Sequence, residues 1–275
     1  MTEPKVSWEA AVQRLRADPA RRELMLACYF DDPVDAAAER FRASTEWIET
    51  RRFLPGSPGL ALEVGAGRGI ASYALASGGW QVTALEPDPS IVVGAGAIRD
   101  LCARTGALIR IHGSSGEELP FSSERFDLVY CRAVLHHARD LRRMCAEASR
   151  VLRPGGSFVA VREHVLSSRA DLPAFLAAHP LHALYGGENA YLLAEYRSAI
   201  ASAGLRIEHC LGPFSSDINL FPDSRSVVRA RIARRLRLPS SRLVPDLALR
   251  ALDWFSDAPG RHYSFVARKP VQGRA

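Results

Sequence analysis

Apolar residues recur every three or four positions through Trp8, Val12 and Leu15, through Leu24, Leu26 and Tyr29, and again through Ala36, Phe41, Trp47 and Ile48. That spacing lines one face of a helix, so residues 1–53 read as helical. The run Pro55-Gly56-Ser57-Pro58-Gly59 then breaks the chain and suits a hinge, because proline and glycine end regular structure. From residue 60 the period changes. Apolar runs at 60–64, 81–85, 107–112, 126–131 and 157–162 are too short for helices and end at turn residues, as buried strands do. Helical stretches fill 69–77, 90–104 and 141–152 between them. A further helix is expected over 190–203, stopped by Gly204, with two last strands over 205–211 and 262–267. Strands alternating with helices at these lengths build βαβ units and a parallel sheet, so the fold class is α/β. The last two strands are about fifty residues apart, more than a hairpin needs. A helical cap over 1–57 and a main domain over 58–275 follow, with an insertion at 212–261.

Composition changes this picture little. The chain has 275 residues, 47% hydrophobic and 24% charged, which suits one large globular domain. Its net charge of +6 is carried almost wholly by arginine, since Lys5 and Lys269 are the only lysines. A surplus so small does not make a nucleic-acid surface. The five cysteines are odd in number, widely spaced and never in a C-x-x-C pair, so reduced thiols and a cytoplasmic protein are expected. The first ten residues carry charges and Trp8 where a signal peptide needs an apolar stretch. No run of 18 apolar residues is present to span a membrane.

The first chemical signal is Leu62-Glu63-Val64-Gly65-Ala66-Gly67-Arg68-Gly69. Glycines let the backbone turn out of a strand and approach a ligand with no Cβ in the way. The helix that follows offers free N–H groups. Glu86 ends the second strand, where an acid accepts hydrogen bonds from ribose hydroxyls. A dinucleotide fingerprint would place its third glycine at position 70, which is Ile70. Glu63, beside the glycines, also suits an ammonium better than a pyrophosphate. The register favours a ligand with an amino-acid head group, a dinucleotide being the alternative.

Six segments in order carry a resemblance: the 63–69 loop, Glu86-Pro87-Asp88, Glu118-Leu119-Pro120-Phe121, Phe126-Asp127-Leu128-Val129-Tyr130, Leu135-His136-His137 and Arg150-Val151-Leu152-Arg153-Pro154-Gly155-Gly156. From about residue 60 to 211, with 263–267 as a terminal strand, the chain resembles a class I S-adenosylmethionine (SAM)-dependent methyltransferase of the small-molecule type. The resemblance implies a Rossmann-like sheet, mostly parallel with an antiparallel last strand, and SAM as cofactor. It implies that Gly65, Gly67 and Gly69 form the cofactor loop, with Glu63 near the amino group and Glu86 on the ribose. Ser115 and Gly116 fall where the family contacts adenine; many relatives carry an aspartate in place of this serine. Arg132 follows the fourth strand, suited to the cofactor carboxylate or equally to a salt bridge elsewhere.

Methyl transfer to a hydroxyl needs an aligned nucleophile, exclusion of water and a proton acceptor. His136 and His164, after the fourth and fifth strands, are the candidate bases, with Glu163 adjacent to orient His164 or to point away. The stretch 163–190 is the expected substrate lid, and its His179, His182, Tyr185, Glu188 and Asn189 would bind a polar acceptor. No third ligand stands near His179 and His182 at metal spacing, so no metal is expected. Arg225, Arg229, Arg231, Arg234, Arg235, Arg237 and Arg242 fill the insertion with no acid between Asp223 and Asp246. A solvated helix face, a dock for an anionic substrate and a membrane-surface contact all fit them. The expected function is methyl transfer from SAM, at oxygen, to a small polar or glycan-type molecule. A SAM-binding protein that does not methylate is the alternative, and a NAD-dependent oxidoreductase, lacking a Tyr-x-x-x-Lys pair, a weaker one. Nucleic acid is not an expected partner, because Tyr130-Cys131-Arg132-Ala133 replaces the Asn/Asp-Pro-Pro-aromatic motif and no Pro-Cys nucleophile is present.

Overall fold

The computed structural model describes residues 6–271; the parts of the N-terminal and C-terminal expectations that fall on 1–5 and 272–275 lie outside them. Eight strands form one sheet: β1 (Leu60–Val64), β2 (Gln81–Leu85), β3 (Ile109–His112), β4 (Phe126–Arg132), β5 (Leu152–Leu166), β6 (Tyr191–Leu192), β7 (Arg206–Leu211) and β8 (Arg261–Arg268). Their order is β3-β2-β1-β4-β5-β8-β7, with the short β6 beside β5. β8 runs antiparallel between β5 and β7 and the other pairings are parallel. This is a mostly parallel, Rossmann-like sheet with an antiparallel last strand. β1 and β4 are buried almost throughout because helices cover both faces. The chain leaves β1 toward β2 and β3, then returns to the other side of β1 as β4. That reversal opens a crevice at the carboxyl ends of β1 and β4, where open α/β sheets bind ligands.

Four helices precede the sheet: α1 (Trp8–Ala17), α2 (Arg22–Ala27), α3 (Val34–Arg42) and α4 (Thr45–Thr50). Their Tyr29, Val34, Phe41 and Trp47 are buried in the same apolar cluster as Ala61, Leu75, Tyr130 and Val159 of the main domain. The helices α5 (Ile70–Ser77), α6 (Ala95–Thr105) and α7 (Leu141–Val151) join the parallel strands. α6 begins five residues later than the periodicity suggests, because Ser90 accepts from the amides of Val92 and Val93 and forms a turn instead. After β5 come α8 (Leu172–Ala178), α9 (His182–Tyr185) and α10 (Leu193–Ser202). Between β7 and β8 lie α11 (Asp217–Leu220), α12 (Arg225–Arg235) and α13 (Asp246–Phe255). β5 extends well past its expected end at 162, so the stretch 163–166 belongs to the sheet.

Cap, sheet and insertion meet at one buried carboxylate. Glu46 of α4 is fully buried and accepts from Arg132 Nε at 2.6 Å and Nη2 at 3.0 Å. Arg162 approaches the same carboxylate at 3.8 Å and donates to the carbonyls of Ile218 and Phe221, each at 3.0 Å. The Arg132 guanidinium also lies over the rings of Tyr29 and Phe41, 5.4 and 5.2 Å from their centroids.

Of the insertion's arginines, Arg225 pairs with Glu49, Asp217 and Asp246, Arg229 with Asp246, and Arg231 with Asp223. Three of the insertion's seven arginines are thus paired with the protein's own acids. Among the described residues no helix is long and apolar enough to cross a membrane.

Removing the shared acid should leave two buried guanidinium groups without a counter-charge. Glu46→Ala is expected to lower folding stability by about 3–5 kcal/mol in urea denaturation, with Glu46→Gln falling between it and the parent. A loss of only about 1 kcal/mol, the worth of an exposed pair, would show that this cluster does not hold the elements together.

Candidate active site

A continuous cavity of about 910 Å³ opens at the carboxyl ends of β1 and β4 and is lined in part by the N-terminal helices and by the segment after β5. Its first end is the glycine loop. Gly65 and Gly67 hold φ of +66° and +53°, a region that a Cβ disfavours. A Cβ on Gly65 would meet the Val134 methyls at 2.7 and 2.9 Å, whereas one on Gly67 would have only the Val93 carbonyl oxygen nearby, at 3.7 Å, and would protrude toward the cavity. Gly69 does not line the cavity; it precedes α5 at φ +78°, packed against Ile98.

Glu86 fixes the loop. Gly67 N–H donates to Glu86 Oε2 at 2.7 Å, and Asp88 N–H to Oε1 at 2.9 Å. Each oxygen keeps a second lone pair for a ligand hydroxyl. Arg68 is buried, donating to the carbonyls of Tyr29 and Asp31 and pairing with Asp32. The loop and the cap are thereby joined. Ser115 and Gly116 line the same end; Ser115 Oγ accepts from Glu117 N–H at 3.2 Å and retains its own proton for donation. Arg132 lines the cavity, but its guanidinium is committed to Glu46.

Glu63 is buried at the floor of this end and accepts from the Ser72 hydroxyl. Burial pushes its carboxyl up to about 8, because little nearby charge compensates the lost hydration.

The second end is lined by histidines. Ala133 and Arg162 sit at positive φ, +55° and +60°, and Arg162 occupies an irregularity in the β5–β8 register between Ala160 and Glu163. The extra residue breaks the alternation of side chains along β5 and re-aims Glu163 and His164. Glu163 is fully buried. It accepts from the amides of Val134 and His136, each at 3.1 Å, and from His136 Nδ1 at 2.8 Å. It therefore orients His136 and not its neighbour His164. His164 Nδ1 lies 2.8 Å from the Gly260 carbonyl. Each ring donates through Nδ1, which leaves Nε2 with a free lone pair. Burial holds His136 well below the usual imidazole range and lowers His164 to about 3, so both are neutral in the free protein.

Of the expected lid residues, His179, Tyr185 and Glu188 line the cavity, and His182 and Asn189 do not. The Tyr185 hydroxyl donates to Glu188 Oε1 at 2.7 Å. Its ring packs edge-on against Trp8 of α1 with centroids 4.6 Å apart, and Val6 N–H donates to the Leu184 carbonyl at 3.1 Å. The N-terminal helices and the segment after β5 are thereby packed against each other beside the cavity.

His262 and Cys28 are among the lining residues that had no signal in the sequence. His262 stands opposite His164 across the β5–β8 pairing, with rings 4.8 Å apart, a neighbour visible only once that register is known. Cys28 comes from the cap, whose docking no motif announced.

Between about pH 4.5 and 8 the folded, ligand-free chain holds a proton on Glu63 that the unfolded chain releases. Stability should therefore fall as pH rises through that window, by up to about 1.4 kcal/mol per pH unit. Glu63→Gln should abolish this component of the slope in denaturation series across pH; identical slopes for parent and variant would place the proton elsewhere.

A methyltransferase-domain family model matches residues 62–160. Among curated proteins, the ubiquinone biosynthesis O-methyltransferase of Methylobacterium nodulans is 31% identical over 163 residues, covering 58% of this chain and 64% of that protein. An uncharacterised methyltransferase of Mycobacterium avium is 36% identical over 95 residues, 34% of this chain and 36% of that one. The chain thus spans less than two thirds of the curated relatives it matches. Among solved structures, geranyl diphosphate methyltransferase in complex with SAM superposes with a TM-score of 0.58 at 18% identity, over 88% of this chain and 94% of that one. The [4+2]-cyclase SpnF superposes at 0.56 and 18% identity, over 86% and 81%, a likeness of fold alone. Residues 62–160 thus match a methyltransferase domain, and the sheet around them has the fold of the class I SAM-dependent methyltransferases.

Proposed function

We propose that the chain binds SAM at the glycine loop and transfers its methyl group to an oxygen of a small molecule held at the histidine end. The observation that carries this reading is the continuity of one cavity from Gly67 and Glu86 to His136 and His164. SAM supplies, when bound, a methyl group on a sulfonium sulfur that departs as a neutral thioether. No acid is then needed for the leaving group, and the protein's tasks lie with the acceptor.

The donor set fits this cofactor. Gly65 and Gly67 leave backbone room for the methionine portion, Glu63 faces its ammonium, Glu86 accepts from the ribose, and Ser115 and Gly116 flank the adenine. The cavity combines imidazole nitrogens with apolar walls from Trp8, Leu24, Phe30, Leu181 and Phe221. It suits a molecule with an apolar body and a hydroxyl, whose proton passes to a free Nε2 lone pair of His136 or His164. Closure of α1 against α9 excludes water from that end.

Titration calorimetry with S-adenosylhomocysteine tests the cofactor. Glu86→Ala should weaken binding at least about tenfold, the loss of one hydrogen-bonded carboxylate. At pH 7 binding should release protons as an ammonium draws Glu63 to its charged form, visible as heats that vary with buffer ionisation enthalpy. Absence of heat from the parent protein would overturn the reading. With a methyl-labelled cofactor, conversion of an acceptor without incorporation of label would replace methyl transfer by another reaction on the same fold.

A further inference from the structure

The geometry points to a divalent transition-metal site at the histidine end of the cavity, formed by Nε2 of His136, Nε2 of His164 and the carboxylate of Glu188, with His179 as a fourth ligand. The ligand atoms of His136, His164 and Glu188 all lie within 4.8 Å of one another. His136 Nε2 is 3.7 Å from Glu188 Oε2, and His179 Nδ1 is 3.8 Å from Glu188 Oε1. Tetrahedral zinc with bonds near 2.1 Å places its ligands about 3.4 Å apart. The ligand atoms stand wider apart than that, within 4.8 Å of one another, so side chains on more than one segment would draw inward on binding.

Three features separate this group from an ordinary polar cluster. First, the outer contacts are those that metal-binding histidines use: Glu163 on His136 Nδ1 and the Gly260 carbonyl on His164 Nδ1, both at 2.8 Å. Such partners fix the tautomer that leaves Nε2 as the donor of a lone pair. Second, the inner atoms do not satisfy each other. A buried imidazole Nε2 without a proton faces a carboxylate oxygen at 3.7 Å, two acceptors turned toward one another, too far apart for a hydrogen bond in any protonation state. Third, His179 Nδ1 is buried without a hydrogen-bond partner, a costly state that a cation relieves. Tyr185, donating to Glu188 Oε1, completes the outer set.

Two or three neutral imidazoles with one carboxylate select zinc, or iron(II) and cobalt(II), over magnesium or calcium, which prefer oxygen ligands. With all four protein ligands in place an acceptor oxygen on the cavity side would be a fifth ligand, and because the metal then takes the Nε2 lone pairs, it would acidify that oxygen, whose proton leaves to water, in place of a histidine base. Only that last use rests on the proposed methyl transfer; the binding of the metal does not.

Tag-free protein stripped with a chelator is titrated with Zn²⁺ by calorimetry and with Co²⁺ by visible absorption. One equivalent should bind, with ligand-field bands of nitrogen and oxygen ligation and without the ultraviolet charge-transfer band of a cysteine thiolate. His164→Ala and Glu188→Gln should each weaken Zn²⁺ binding at least about tenfold, and Glu163→Gln by about 10–100-fold through the outer contact. His209→Ala, in β7 and outside the cavity, should bind as the parent does. Circular dichroism establishes that each variant is folded; should Glu163→Gln unfold, the other two variants decide. No binding by the parent, thiolate bands, or unchanged affinity in His164→Ala and Glu188→Gln would overturn the assignment. Calorimetry of the same stripped protein with S-adenosylhomocysteine is a separate readout, so failure of the metal and failure of the cofactor reading are told apart.

Discussion

The architecture depends on a carboxylate that has no business in an apolar core unless it is paired. Glu46 has no exposed surface and lies on a helix whose neighbours, Trp47 and Phe41, are buried hydrophobics. It is tolerable there because Arg132 and Arg162 bring two positive charges and a set of hydrogen bonds to it. Those arginines end β4 and occupy the β5 irregularity, and Arg162 reaches onward to the carbonyls around α11. One ionic cluster thereby sets the distance between the cap, the strand ends and the insertion. The cavity is the space those three elements leave between them.

The same neighbourhood explains how the chemistry-bearing side chains come to face inward. A regular β5 would alternate its residues between the two faces of the sheet. The positive φ at Arg162 and the register irregularity interrupt that alternation, and Glu163 and His164 acquire directions that serve the site. Strained backbone of this kind survives where surrounding contacts fix it. Here Ser264 Oγ accepts from the Arg162 amide, and the Val161 carbonyl from Ala133 N–H.

The strand–helix alternation was legible because buried parallel strands are short apolar runs bounded by turn residues, and the cofactor end because its glycines and acid lie within one contiguous βαβ unit. The histidine end was not, since His136, His164, His179, Glu188 and His262 come from four segments brought together by topology alone. Sequence spacing held no third ligand beside His179 and His182; the groups that share the cavity with His179 include Glu188, His164 of β5 and His136 of the turn after β4, which lie far from it or on other elements along the chain. The role of Glu163 was equally hidden. Its partner is 27 positions away, while the adjacent His164 turns to Gly260. The expected end of the cap at 57 fell in a connecting segment, whereas the expected start of the lid at 163 fell inside β5, and the packing of Trp8 on Tyr185 has no local signature.

That contact has a kinetic consequence. Leu181, Leu184 and Tyr185 share an apolar cluster with Val6, Trp8, Leu15 and Met25, so parting the roof exposes leucine surface at about 1.5–3 kcal/mol for each side chain. A molecule whose route out passes between the two segments would escape no faster than they separate. Residence time in the cavity is then governed by hydrophobic cohesion between distant parts of the chain, and a tight ligand and a weak one can leave at similar rates.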